Sequence, residues 1–373
     1  MRIIQDADVK NKKVFLRVDF NVPLADGKVV DNNRILAAVP TIRMLAESRA
    51  KIIIGTHIGR PDGQKTAETS VLPAAKELQR ILNLKVEVAP DILGPETEKM
   101  VANLKPGGIL VLENLRWDKR EEENAPEFAQ ELAKYGEIYV NDAFAVSHRA
   151  NASVEAITKL LPSYAGLLLQ SEVSHLELLI QDPKHPFTVI IGGVKVKDKA
   201  GVIERLAPLA EDILIGGGVA TTFLKARGEE IGQSIFDAEM VEECKKLLEK
   251  LGGKLKLPSD FVKEETPEGG FKIMDIGPAT ARDFSSIIQR SETILWNGSL
   301  GYSEDLRYRE GMKIVAKAMG MNRDATTVVA GGDTVGFIKQ EKLDKGISFI
   351  STGGGAALEF LAGEQLPGIT ALE

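Results

Sequence analysis

The chain has 373 residues, 43% hydrophobic and 27% charged, with a formal net charge of −7; that is an ordinary globular composition, and the length suits two or three domains of about 150 residues. The acidic balance argues against a general affinity for nucleic acid. No run approaches the roughly 18 apolar residues of a membrane span, and the start MRIIQDADVK has no apolar leader core, so neither membrane nor secretion is expected.

In chain order, short β-branched runs alternate with helical patterns. VFLRVDF (14–20), KIIIGTH (51–57), GILVLEN (108–114) and EIYVNDAF (137–144) read as strands, separated by helices such as RILAAVPTIRMLAES and PEFAQELAKYG. The stretch AGLLLQSEVSHLELLIQD (165–182) predicts an amphipathic helix, after which the alternation restarts. FTVIIGG (187–193), DILIGGG (212–218), TILWNGSLG (293–301), TTVVAGG (326–332) and ISFISTGGG (347–355) are the second set of strands. This pattern predicts an α/β protein of two parallel-sheet halves joined by a helix near residue 175. The single cysteine, Cys244, sits in the helical stretch EECKKLLEK, offers no disulfide or metal cluster, and fits a reducing, cytoplasmic location.

The unusual polar residues follow the strands, at the edge where open parallel sheets bind ligands. In the first half they are Asp19, Asn21 and Arg34, then His57 and Arg60 in THIGRP, Arg116 in ENLRW, and His148 and Arg149 in SHRANAS. One such arginine would ordinarily be solvated surface. Arg34, Arg60, Arg116 and Arg149 on one rim of an acidic chain instead suit a small, multiply anionic ligand, because the guanidinium fork pairs bidentately with carboxylate or phosphate. His175 and His185 lie away from strand ends and read as satisfied core residues, and no histidine has metal-ligand spacing.

In the second half the strand ends are glycine: IGGGVATTF, AGGDTVGF and STGGGAALEF. Bare backbone lets N–H groups approach phosphate oxygens at a helix N-terminus; the competing use of glycine is a tight turn packing helix on sheet. Lys195, Lys197 and Lys199 in GGVKVKDKAG would supply mobile charge to a phosphate, unless they are a solvated run. Asp333 in GGDT suits Mg²⁺ shared with phosphate oxygens, with an N-cap as its alternative role. Neither GxxxxGK[ST] nor GxGxxG occurs, so a P-loop and a dinucleotide site lack their fingerprints.

The ordered motifs RVDFNVP, THIGRP, ENLRW, SHRANAS, GGVKVKDK, GGGVATTF, DIGP, WNGSLG, AGGDT and STGGGAALEFL resemble the phosphoglycerate kinase family over essentially the whole chain. The resemblance implies two Rossmann-like domains joined by a helix with a cleft between them: residues 1–164 with 366–373 for 3-phosphoglycerate, 165–182 as connecting helix, and 183–365 for nucleotide. It implies a cytoplasmic monomer that transfers phosphate reversibly between 1,3-bisphosphoglycerate and MgADP, giving 3-phosphoglycerate and MgATP, with no nucleic-acid or membrane partner. By motif, Asp19, Phe20, Asn21, Arg34, His57, Ile58, Gly59, Arg60, Arg116 and Arg149 would hold the three-carbon acid. Gly193, Lys195, Lys199, Gly217, Gly277, Asn297, Glu304, Gly332, Asp333, Thr334, Gly353, Gly354 and Gly355 would hold the nucleotide, Asp333 its metal. Arg34, Lys195, Gly331 and Gly354 would serve catalysis. Asn151, Ser299, Ala330 and Ile58 depart from the family's usual residues without removing a charged group. A non-catalytic nucleotide-binding or scaffolding protein could keep the glycine loops, but would have little reason to keep both the arginine rim and Lys195.

Overall fold

The computed structural model describes residues 1–373. By internal contacts the chain divides into Met1–Val173 with Gln365–Glu373, and Ser174–Glu364.

The first unit holds β1 (Lys13–Val18), a two-residue ribbon of β2 (Leu24–Ala25) and β3 (Lys28–Val29), β4 (Lys51–Gly55), β5 (Val86–Val88), β6 (Ile109–Val111), β7 (Ile138–Asp142) and β8 (Ser163–Ala165). Its helices are α1 (Asn33–Glu47), α2 (Leu72–Leu82), α3 (Pro95–Asn103), α4 (Pro126–Ala133) and the start of α5 (Leu167–Gln181). The six-stranded sheet runs β5-β6-β4-β1-β7-β8, and every pairing in it is parallel. Buried on both faces, its central strands are continuous apolar runs, and Val14, Leu16, Ile52, Ile54, Val111 and Val140 make the core with α1 and α2.

The second unit repeats the plan. Strands β9 (Phe187–Ile191), β10 (Asp212–Ile215), β11 (Leu255–Lys256), β14 (Thr293–Asn297), β15 (Thr326–Ala330) and β16 (Phe349–Ile350) form a parallel sheet in the order β11-β10-β9-β14-β15-β16. An antiparallel ribbon, β12 (Phe261–Thr266) and β13 (Gly270–Ile276), stands apart from it. The helices are α6 (Lys197–Leu206), α7 (Gly217–Ala226), α8 (Val241–Leu251), α9 (Pro278–Gln289), α10 (Glu310–Met321), α11 (Gly332–Gln340) and α12 (Gly355–Ala362); α13 (Pro367–Thr370) lies in the returning terminal segment.

In each sheet the strand order reverses beside the unit's first strand, β1 in one and β9 in the other. That reversal opens a crevice at the carboxyl edge. Two adjacent residues at the end of β7 organise that edge in the first unit. Asn141 Nδ2 donates to the Gly368 carbonyl at 3.0 Å, fixing the return segment, while Asp142 Oδ1 accepts the Leu168 N–H at 2.9 Å at the start of α5.

The predicted strands all form, in shorter versions. Unpredicted from the sequence are β5, β8 and β11, two or three residues long, and the β2–β3 and β12–β13 ribbons. His185 corrects an expectation: it is half exposed and pairs with Glu211 at 3.0 Å, so it is not a core residue. His175 stacks on Phe349 with ring centroids 4.0 Å apart.

Candidate functional site

In the first unit, residues from four strand ends and one helix converge. Asp19 follows β1, and its carboxylate is 2.5 Å from Arg34 NH1 on α1, accepts the Asn21 N–H at 3.0 Å, and lies 3.9 Å from His57 Nδ1. Phe20 is fully buried and its N–H donates to Thr56 Oγ1. Asn21 Oδ1 accepts the Gly59 N–H at 2.9 Å, and the Gly59 carbonyl accepts from Arg116 NH1 at 3.0 Å. These bonds lace the β1, β4 and β6 turns together. Ile58 is buried beneath them, whereas Arg60 and Arg149 are exposed.

The electrostatics of this cluster are unusual. His57 is buried, and its pKa is driven well below the usual imidazole value, first by burial and then by Arg17, Arg116, Arg34 and Arg149. It is therefore neutral at pH 7, and its Nδ1 has no hydrogen-bond partner. An unpaired buried nitrogen amid four guanidiniums is an acceptor or donor left open inside a positively charged cluster. Arg116 is also buried, which lowers its pKa, although a guanidinium stays charged throughout the working range.

Arg17 was not among the predicted residues. It sits in β1 with 1% exposure, donates from Nε to Ser153 Oγ at 2.7 Å and from NH1 to the Val18 carbonyl at 2.5 Å, and lies 3.7 Å from Glu121. Glu121 in turn accepts from Ser153 Oγ and N–H at 2.6 and 3.0 Å. The signal was available: an arginine inside the apolar run VFLRV must be paired, because a lone buried charge is prohibitively costly. Asn151 is buried with Nδ2 donating to the Glu121 carbonyl at 3.3 Å, so the position braces the turn that carries Arg149.

In the second unit the strand ends meet through backbone. Gly192 N–H donates to the Asn297 carbonyl at 2.9 Å, Gly193 N–H to the Ser299 carbonyl at 2.7 Å, and Gly217 N–H to the Leu300 carbonyl at 2.8 Å. A Cβ on Gly298 would lie 2.1 Å from the Gly192 oxygen, and one on Gly192 or Gly217 would lie 2.2 or 2.5 Å from the Ser299 oxygen. These glycines exist for close approach. By contrast a Cβ on Gly332, Gly354 or Gly355 would meet nothing within 4 Å. Those three face open space, as a phosphate cradle requires.

A cavity of about 570 Å³ includes Gly193, Gly217, Ser299, Glu304 and Asp333 in its lining. Tyr302 and Asp275 line it too and were not predicted. The Tyr302 N–H donates to the Met274 carbonyl at 2.7 Å, tying the Glu304 loop to β13; buried Asp275 accepts the Gly311 N–H at 2.8 Å at the start of α10. A larger depression of about 870 Å³ lies along edge strand β5 between Lys85, Lys99 and Lys105. It contains none of the convergent groups, and we assign it no part in the chemistry.

Beside the smaller cavity, Lys199 on α6 donates to Asn297 Oδ1. Burial lowers the Lys199 pKa to about 8, opposed by Asp198 and Asp333. Asn297 Nδ2 is buried without a partner, 3.1 Å from where a Gly331 Cβ would be. Thr334 Oγ1 accepts the Gly298 N–H at 2.9 Å, and Gly353 N–H donates to Ser351 Oγ at 3.0 Å. Lys195 is exposed at the turn before α6. Gly277 is the N-cap residue of α9 and packs on the Asp260 carboxylate, two residues from Asp275 of the cavity lining. Asp333 stands inside the first turn of α11, and the N-cap position is Gly331.

No group of three or more His, Cys, Asp or Glu residues could hold a metal by itself. The single exposed carboxylate of Asp333 beside a lysine and an orphaned amide matches Mg²⁺ carried by phosphates, which takes only one or two protein carboxylates.

The family model for phosphoglycerate kinase matches residues 4–364. A phosphoglycerate kinase of Coprothermobacter proteolyticus is 43% identical, over 100% of this chain and 98% of that one; one from Thermomicrobium roseum is 42% identical, over 100% and 99%. The solved phosphoglycerate kinase of Pyrococcus horikoshii OT3 superposes with a TM-score of 0.89 at 32% identity, covering 100% of this chain and 98% of its own. That of Coxiella burnetii gives 0.86 at 34% identity, covering 99% and 98%.

Proposed function

The chain belongs to the phosphoglycerate kinase family and carries that activity, reversible phosphoryl transfer between 1,3-bisphosphoglycerate and ADP, and from this premise we propose which residues perform each step. The first unit is the 3-phosphoglycerate domain. The observation that carries this is the buried, neutral His57 with its unpartnered nitrogen among Arg17, Arg34, Arg116 and Arg149. Asp19 and Asn21 orient Arg34 and the Gly59 turn; Arg60, Arg116 and Arg149 grip the anionic ends.

The second unit is the nucleotide domain. Glu304 takes the ribose, Gly193 and Gly217 let the nucleotide lie against backbone, and Lys199, Asn297 and the N–H groups of Gly354 and Gly355 meet phosphate oxygens, while Gly353, its N–H held by Ser351 Oγ, shapes the loop. Asp333 would hold Mg²⁺, which when bound would neutralise charge on the nucleotide phosphates. Lys195, exposed at the turn before α6, meets the transferred group.

In the ATP-forming direction the bond between the acyl oxygen and phosphorus breaks as a β-phosphate oxygen of ADP bonds to phosphorus, and the carboxylate leaves. The acyl phosphate is already a reactive donor, so no covalent nucleophile is needed. The residues hold two oxyanions in line and stabilise metaphosphate-like charge between them, Arg34 from one unit and Lys195 with the Gly331 and Gly354 amides from the other. Closure of the units would exclude water, which would otherwise hydrolyse the acyl phosphate. The working form we propose is a cytoplasmic monomer; the buried lone Cys244 supports the reducing location.

A coupled assay with 3-phosphoglycerate and MgATP tests the assignment, with Arg149→Ala expected to raise the KM for 3-phosphoglycerate and leave nucleotide binding unchanged. Solution scattering tests closure. The radius of gyration should shrink with both substrates and not with either alone, and a saturated ternary mixture that scatters like the free protein would overturn it.

A further inference from the structure

The acidic run after the Arg116 turn sends neighbouring residues in opposite directions. Glu121 is 1% exposed and belongs to the Arg17 network. Glu122 has a side chain 37% exposed, and its Oε1 lies 3.3 Å from Arg116 Nε and 3.7 Å from Arg149 NH1. One half-exposed carboxylate is therefore shared by two guanidiniums of the anion rim.

The two arginines are held differently. Arg116 is buried and also fixed to the Gly59 carbonyl, so it keeps its place without Glu122. Arg149 has a side chain 42% exposed, and besides Glu122 it contacts only His148 Nε2 at 3.4 Å. Arg34 already has its own carboxylate in Asp19, and Arg17 has Glu121. Glu122 is thus the one rim acid that an incoming anion can displace into water at little cost, because a part-exposed carboxylate is readily rehydrated.

We infer that Glu122 is a resident competitor: it neutralises Arg116 and Arg149 in the empty site, must be displaced by the ligand, and so weakens anion binding and speeds release. The purpose follows from transition-state arithmetic. Binding that is equally strong in ground and transition states does nothing for turnover once substrate is abundant, and a rim of unopposed arginines would retain 3-phosphoglycerate. Glu122 lowers that uniform binding without touching Arg34.

This rests on the reading of the rim as the 3-phosphoglycerate site, and the test separates the two. Titration calorimetry with 3-phosphoglycerate and with inorganic phosphate, at two salt concentrations, compares wild type with Glu122→Gln. The variant should bind both anions about threefold to tenfold more tightly, the scale of one or two part-exposed ion pairs, with a steeper loss of affinity on adding salt because the rim gains one net positive charge. Misfolding cannot tighten binding, so the direction is diagnostic. Unchanged or weaker binding of both anions in Glu122→Gln would overturn the inference and make Glu122 a positioning partner of Arg149. If wild type itself prefers 3-phosphoglycerate no more than inorganic phosphate, the reading of the rim fails instead.

Discussion

The carboxyl edges of the two sheets solve the same problem with opposite materials. In the first unit the edge is made of side chains: guanidiniums positioned by Asp19, Asn21 and backbone carbonyls around a neutral His57. In the second it is made of backbone, with Gly192, Gly193, Gly217 and Gly298 closing the strand ends while Gly332, Gly354 and Gly355 face outward. A side-chain edge can be retuned one charge at a time. A backbone edge is set by the packing of its glycines, and change there is close to all or none.

The sharpest way to break the contrast is Arg34→Ala. Arg34 lies on the surface of α1, so the fold should persist. On the proposed reading its loss removes charge facing the transferring group, and arginines in that role account for roughly 10³ to 10⁵ in rate. Steady-state kcat measures it; near-normal turnover would remove Arg34 from the catalytic set.

The backbone edge is tested by two alanines with opposite expected readouts. Gly298→Ala places a Cβ 2.1 Å from the Gly192 oxygen at a φ of +93°, and should cost stability on the order of 1–3 kcal/mol or more. Gly355→Ala enters open space at a helix start, so its unfolding midpoint should hold while MgATP affinity falls by as much as about 10²-fold through misplaced phosphate. If Gly355→Ala unfolds early instead, the outward glycines are packing residues like the inward ones.

A smaller effect separates metal from phosphate. Asp333→Asn should weaken MgATP more than metal-free ATP, because only the former uses the carboxylate. Equal losses in paired titrations would assign Asp333 to the first turn of α11 alone.

These contrasts also explain what could be read in advance. Arg34, Arg60, Arg116 and Arg149 were legible because arginine after a strand is a chemical statement in itself. The glycine runs were legible as a class only. Nothing local distinguishes Gly298, which touches a strand 106 residues earlier in the chain at Gly192, from Gly355, which touches nothing. Arg17, Glu121 and Ser153 become a network only when β1 meets two later turns, and nothing local sets Glu122 apart from its neighbours Glu121 and Glu123. The β12–β13 ribbon escaped because an antiparallel pair stands outside the strand–helix alternation that marks the two parallel sheets.

The two units also share a device whose effect is read through pH. Each ends a strand with a buried aspartate that accepts N–H groups from a helix start: Asp142 from Leu168 and Leu169 of α5, Asp275 from Gly311 of α10. Burial raises both pKa values from 3.8 to about 7, against those N–H bonds, with Thr41 also opposing the shift at Asp142 and Glu310 adding to it at Asp275. A carboxyl whose folded pKa is raised takes its proton more readily in the folded state, so its contribution to stability is full below about pH 4 and is lost as pH rises through about 7. Asparagine imitates the protonated form and should flatten that decline. The two tryptophans allow each unit to be followed separately, since Trp117 lies in the first and Trp296 in the second. In urea titrations between pH 4.5 and 7.5, Asp142→Asn should flatten the pH dependence of the Trp117 transition, and Asp275→Asn that of Trp296, each observed with the other tryptophan replaced by phenylalanine. If a variant's transition keeps the wild-type slope, its aspartate is ionised across this range and the N–H bonds outweigh burial. A change appearing in both transitions at once would instead mean that the units unfold as one, and the comparison between them would hold for their chemistry but not for their stability.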